Sequence, residues 1–219
     1  MICLPICNNQ NNNTSNIDFL GIFIYLTRTM NWIIAMDQSL FLWINTGMTN
    51  AFFDVFFPFI TDLHKTKYFG LIVIPLCCFL LYRRHSKKGL LIFLFCLLSL
   101  GTIDLVGNHG FKKPFERMRP FESTAHVTIQ RSPAAGFSFV SNHSANMFGF
   151  ALFMGFFLPA LRKLFFTLAF LVAFSRVYNG VHYPSDVIVG ALLGCLISFG
   201  YIKLYSRLFD RNKKEMAAI

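Results

Sequence analysis

Three short stretches of the chain carry residues suited to phosphoryl chemistry. They are Lys112 with Arg119 and Pro120 in KKPFERMRP, Ser141, Asn142 and His143 in FVSNHSAN, and Ser175, Arg176, His182 and Asp186 in SRVYNGVHYPSD. Fixed cations hold a phosphate dianion, one imidazole can attack phosphorus, and another can hand a proton to the departing oxygen. Each stretch lies at the edge of a long apolar run, so the chemistry is expected at a membrane surface. A phosphorylated lipid is the substrate class this implies.

The third stretch is the most specific. Pro184 suits the first turn of a following helix and drives Tyr183 into extended geometry, which puts His182 just outside that helix and Asp186 within its first turn. The carboxylate can then turn back onto one imidazole nitrogen, fix the tautomer and leave the other nitrogen to attack. Ser141 and Asn142 precede an apolar run and are expected at a helix N-terminus, where free N–H groups bind anions, with His143 at the opening. Lys112 and Arg119 are seven residues apart, so on a helix continuing from the preceding span they share a face, and Pro120 is expected to end that helix. Each motif alone also has a plain structural reading: a basic juxtamembrane loop, a capping Ser or Asn, a capped span.

The elements that must position these residues are hydrophobic helices. Hydrophobic residues make up 55% of the 219, with mean hydropathy +0.53 and 28 phenylalanines, which exceeds what a soluble domain carries. The expected fold is all-α, a polytopic transmembrane helical bundle. Spans are read at 68–82, 89–107, 144–161, 164–179 and 186–205, with residues 37–60 giving an interfacial helix and a short or partial sixth span. Residues 1–29, with the polar tract NNQNNNTSN, are expected to be a disordered or poorly ordered arm. Residues 30–207 form the domain and 208–219 a basic tail. No cleaved signal peptide is read at the start. Cys77, Cys78, Cys96 and Cys195 lie in apolar spans as small hydrophobes, and neither a disulfide framework nor a zinc site is indicated.

The net charge of +10 would suggest nucleic acid in a soluble protein. Here the basic residues cluster at span ends and in the motifs, so no nucleic-acid partner is expected. Eleven Lys and Arg fall on the side of 83–88, 162–163 and the C-terminal segment, against eight on the other, three of which belong to the motifs. The excess assigns the 83–88 loop and the C-terminus to the cytoplasm and all three motifs to the extracytoplasmic face. His109, Lys113, Arg117, Glu122, His126 and Arg131 are read as a solvated loop face, and His64 and His85 as interfacial.

Jointly the motifs resemble the type 2 phosphatidic acid phosphatase (PAP2) and haloperoxidase superfamily, whose pattern is Lys-x6-Arg-Pro, then Pro-Ser-Gly-His, then Ser-Arg-x5-His-x3-Asp. The first and third match fully; in the second, Val140 stands for Pro and Asn142 for Gly, with Asn chosen as the residue that best tolerates a left-handed turn. The resemblance covers roughly residues 30–207. It implies a metal-independent inner-membrane lipid phosphatase without a cofactor. His182 would form a phosphohistidine, Asp186 would orient it, and His143 would serve as acid and then base. Lys112, Arg119, Arg176, Ser141 and the Asn142 backbone would hold the phosphate. Undecaprenyl diphosphate and lipid A are favoured as substrates over phosphatidate or phosphatidylglycerophosphate. Two alternatives remain open at this point: a vanadium-dependent haloperoxidase-like enzyme, and a non-catalytic module binding anionic lipid.

Overall fold

The computed structural model describes residues 14–63, 66–124 and 127–209, except for the side chains of residues 14–26 and Phe69. Among these residues every regular element is helical, as the composition predicts. The chain divides into two compact units, residues 1–39 and 40–219. Helix α1 spans Thr14–Leu42. Residues 1–13 and the tail from 210 onward lie outside the described residues.

The second unit holds the remaining helices. After a π-helical turn at Trp43–Gly47, the chain breaks at residues 48–50. Asn50 then caps α2, Ala51–Asp62, by accepting the Phe53 N–H at 2.9 Å. A second π-helical turn, Phe69–Val73, leads into α3, Ile74–His85, and α4 follows over Lys88–Leu105. A longer π-helical segment, Val106–Lys112, continues α4 and passes into the short α5, Lys113–Phe115. The short α6, Pro120–Ser123, precedes an irregular segment that ends at α7, Asn142–Phe157. Then come α8, Arg162–Tyr178, and α9, Pro184–Phe209. The segments read as spans at 68–82, 89–107, 164–179 and 186–205 fall on helices, whereas 144–161 runs past the end of α7 at Phe157. By length and apolarity, Lys88–Ser123 and Pro184–Phe209 each suffice to cross a membrane.

Small residues decide how the helices meet. On α9, Gly190, Gly194 and Ser198 are buried, while Ile188, Leu192, Leu196 and Phe199 on the other face are exposed. A Cβ on Gly194 would lie 1.9 Å from the Ala145 carbonyl oxygen, and one on Gly190 would lie 2.6 Å from that of Ser141. Helices in lipid gain little from hydrophobic burial, so close backbone approach and interhelical hydrogen bonds hold them together. The bonds are present: Ser144 Oγ donates to the Val187 carbonyl at 2.7 Å, and Ser99 Oγ pairs with Ser198 Oγ at 2.9 Å. This contact sets the N-terminus of α7 beside the N-terminus of α9, bringing the second motif to the third.

Residues 129–132 are held by long-range bonds, which corrects the reading of Arg131 as part of a solvated loop face. Asn45 donates to the carbonyls of Ile129 and Tyr178, both at 2.8 Å, and accepts the Ile129 N–H at 2.9 Å. Arg131 pairs with Asp54 at 2.6 Å and lies over the Tyr178 ring at 4.4 Å. Gly180, at φ +76°, lets the chain pass so close to the Ile129 carbonyl that a Cβ would lie 2.5 Å from it.

Candidate active site

The geometry of α9 follows from its sequence. Pro184 is its first residue and Asp186 lies in its first turn, so the carboxylate folds back over the residues just before the helix. Asp186 Oδ2 accepts the Tyr183 N–H at 2.9 Å and the Ser138 hydroxyl, and lies 3.5 Å from His182 Nδ1. Asp186 Oδ1 takes Arg117 Nη1 at 2.6 Å. The carboxylate is fully buried and its position is fixed from several directions.

His182 Nδ1 lies 3.5 Å from both Asp186 Oδ2 and Ser138 Oγ, and the ring presents Nε2 to Arg119, whose Nη1 is 3.2 Å away. This arrangement assigns the tautomer: Nδ1 carries the proton and Nε2 the lone pair. Burial pushes the imidazole down to about 3. The Asp186 hydrogen bond opposes that shift, and the charges of Arg176 and Arg119 add to it. His182 is therefore a neutral base with its free nitrogen aimed at a cation.

Arg119 is itself almost wholly buried. Its Nε donates to the Gly136 carbonyl at 2.7 Å, Nη2 to those of Ala135 and Phe137 at 2.9 and 3.3 Å, and Nη1 to that of Val181 at 2.8 Å. One Nη1 hydrogen faces Nε2, where a phosphoryl oxygen could take its place. Arg119 and Lys112 do not share a helical face. The left-handed Glu116 ends the helix between them, and Arg119 is extended. Pro120 starts α6 instead of ending a helix, with Glu122 Oε2 accepting the Arg119 N–H at 3.0 Å. The two cations nonetheless converge: the charges acting on Lys112 are those of Arg119, Asp104, Arg176 and Asp186.

Ser141 is the N-cap of α7, as its position in the motif predicts. Its hydroxyl is buried with no hydrogen-bond partner among the described residues, which suits an anion site. Asn142 is the first residue of the helix and has no left-handed backbone, so the reason given for Asn at this position is corrected. Its side chain turns to Asp104 Oδ1 at 3.0 Å and Asn108 Oδ1 at 3.2 Å. Arg176, 4% exposed, donates from Nη1 to Thr61 Oγ1 at 2.8 Å, while its Nε is buried without a partner among the described residues. His143 lines a cleft of about 440 Å³ together with Asn142, Asn146 and Asp104.

Three further groups enter the site from positions with weak sequence signals. Arg117, read as part of a solvated loop face, binds Asp186, donates to Ser185 Oγ at 2.8 Å and lies 4.1 Å from the Tyr183 ring centre. Ser138 carried no signal beyond being a small polar residue. Asp104 did carry one, as the sole charged residue within 89–107. Elsewhere His85 Nε2 lies 3.0 Å from the Phe157 carbonyl, His109 and Lys113 are exposed, and His64 and His126 fall outside the described residues. Among the described residues no group of three or more His, Cys, Asp or Glu could hold a metal ion.

An all-helical bundle with a His–Asp pair, convergent cations and a second histidine on an adjacent helix N-terminus defines a membrane phosphoryl-transfer class. The model of the PAP2 superfamily matches residues 89–210. The lipid A 4'-phosphatase of Porphyromonas gingivalis is 30% identical over 194 residues, 84% of this chain and 78% of that protein. The undecaprenyl-diphosphatase of Sulfolobus acidocaldarius is 30% identical over 128 residues, 58% of this chain and 60% of that protein. The crystal structure of a transmembrane PAP2-type phosphatidylglycerolphosphate phosphatase from Bacillus subtilis superposes with a TM-score of 0.62 at 26% identity. It covers 89% of this chain and 97% of that one. The chain belongs to the PAP2 superfamily, in its membrane lipid phosphatase branch.

Proposed function

We propose that this lipid phosphatase works through a phosphohistidine on His182, on the extracytoplasmic face of the inner membrane. The observation that carries the reading is the orientation of His182, with Nδ1 on Asp186 and Nε2 facing Arg119. The Nε2 lone pair attacks phosphorus while the bond to the lipid oxygen breaks, and His143 donates a proton to that oxygen. Lys112, Arg119 and Arg176, with the Ser141 hydroxyl and the N-terminus of α7, stabilise the charge on the equatorial oxygens. Water then gives a proton to His143 and attacks phosphorus, the P–N bond breaks, and inorganic phosphate leaves. Asp186 supports the positive charge that His182 acquires when it is phosphorylated.

The relatives named above are phosphatases of three lipid classes, which favours phosphoryl transfer over halide oxidation or passive binding. The excess of Lys and Arg around 83–88, 162–163 and the C-terminal segment supports the orientation. The test is phosphate release by purified protein in detergent with EDTA. Lipid A, undecaprenyl diphosphate and phosphatidate are supplied in parallel, beside His182→Ala. Release that survives EDTA and vanishes in the variant supports the reading; release that needs added Mg²⁺ contradicts the metal-free mechanism.

A further inference from the structure

The cleft beside His143 combines two chemistries. Asp104, Asn142 and Asn146 line one part of it, and Met147, Leu168 and Val172 line another. His143, the proton donor to the leaving oxygen in the reading above, is in the same wall, so the departing alcohol belongs in this cleft. Its polar part is a cluster of acceptors. Asn142 Nδ2 and Asn146 Nδ2 both donate to Asp104 Oδ1, at 3.0 and 2.9 Å. The carboxylate thereby takes the amide hydrogens, and both amide oxygens are buried without a hydrogen-bond partner among the described residues, that of Asn142 close against Gly107. Buried acceptors without donors are uncommon in a folded protein, and a ligand is one thing that supplies the missing donor. Asp104 also places a carboxylate within an apolar run, a costly position of the kind usually kept for function.

We infer that Asp104, Asn142 and Asn146 form a hydrogen-bonding subsite for the leaving alcohol. It selects lipids whose scissile phosphate is carried by an alcohol with neighbouring hydroxyl or amide N–H groups. This rests on the lipid-phosphatase reading and deepens it. A sugar or a glycerol headgroup supplies such donors, and its acyl chains suit the apolar wall. The leaving group of a polyprenyl diphosphate is a polyprenyl monophosphate, which brings an anion toward Asp104 and no donor next to the scissile oxygen. The subsite disfavours it on both counts.

The test compares kcat/KM for lipid A, phosphatidylglycerol phosphate and undecaprenyl diphosphate in the same detergent. It uses wild type, Asp104→Asn and Asn146→Leu, with rates taken per folded protein from melting curves. Wild type is expected to favour the two hydroxyl-bearing lipids. Each variant should lose about tenfold on them, the worth of one well-made hydrogen bond, and less than about twofold on undecaprenyl diphosphate. A loss confined to lipid A assigns the subsite to a sugar, and one confined to phosphatidylglycerol phosphate assigns it to glycerol; either supports the inference. Equal loss on all three lipids, no loss on any, or a wild-type preference for undecaprenyl diphosphate overturns the subsite and leaves the phosphatase standing. Phosphate release from none of the three, with His182→Ala identical to wild type, sinks the phosphatase reading and the subsite with it.

Discussion

Arg117 Nη1 lies 2.6 Å from Asp186 Oδ1, on the oxygen that His182 does not face. The guanidinium also rests against the Tyr183 ring and donates to Ser185, so the residues flanking the His–Asp pair share one brace. Arg117→Gln should lower kcat by about 10- to 100-fold, the range seen when a group orienting a reactive side chain is lost. KM should move much less, because Arg117 touches Asp186 rather than the phosphate. Steady-state kinetics check this; a change in KM alone would make Arg117 a substrate ligand instead.

Asp186→Asn preserves shape but turns an acceptor of the Nδ1 proton into a group that can present the wrong end. Turnover should fall by on the order of 10³- to 10⁴-fold, as when the carboxylate of a catalytic triad is amidated. Lipid binding, read as the Kd of a non-hydrolysable phosphonate analogue, should change by less than about fivefold. An unchanged kcat would remove Asp186 from the mechanism.

His182 is held neutral down to about 3, whereas in an unfolded chain it titrates near 6.5. Between these values the unfolded state binds a proton that the folded state does not, so this group's contribution to stability falls as pH drops through that window. Above about 6.5 it contributes no pH dependence. Melting temperature measured from pH 7.5 to 4 should therefore decline more steeply for wild type than for His182→Gln. Parallel curves would mean that His182 is not buried neutral.

Two glycines on α9 make opposite predictions. Gly194 has no room for a Cβ against Ala145, so Gly194→Val should cost about 3 kcal/mol or more through overpacking and should part the N-termini of α7 and α9. A Cβ on Gly200 meets nothing within 4 Å, so Gly200→Ala should be neutral or stabilise by up to about 1 kcal/mol. Melting curves in detergent separate the two, and phosphatase activity should follow stability only for Gly194→Val.

The sequence by itself determined the helical class, the membrane setting and the pairing of His182 with Asp186. These follow from composition, from apolar runs and from residues four apart around a proline-started helix, all of them local properties. It also located the N-terminus of α7 at Ser141 and Asn142, because a polar pair before an apolar run has few other places to go. Tertiary structure decided which loop residues enter the site. Arg117 reaches Asp186 from the short link between α5 and α6, and Ser138 from the irregular segment after α6, whose path is set by Arg119 gripping the carbonyls of residues 135–137 and by Asn45 and Arg131 gripping residues 129 and 178–179. No periodicity encodes contacts between groups 16 to 133 residues apart. The same holds for Asn142: its type could be read, but the direction of its side chain, toward Asp104, depends on how closely α4 and its π-helical extension approach α7.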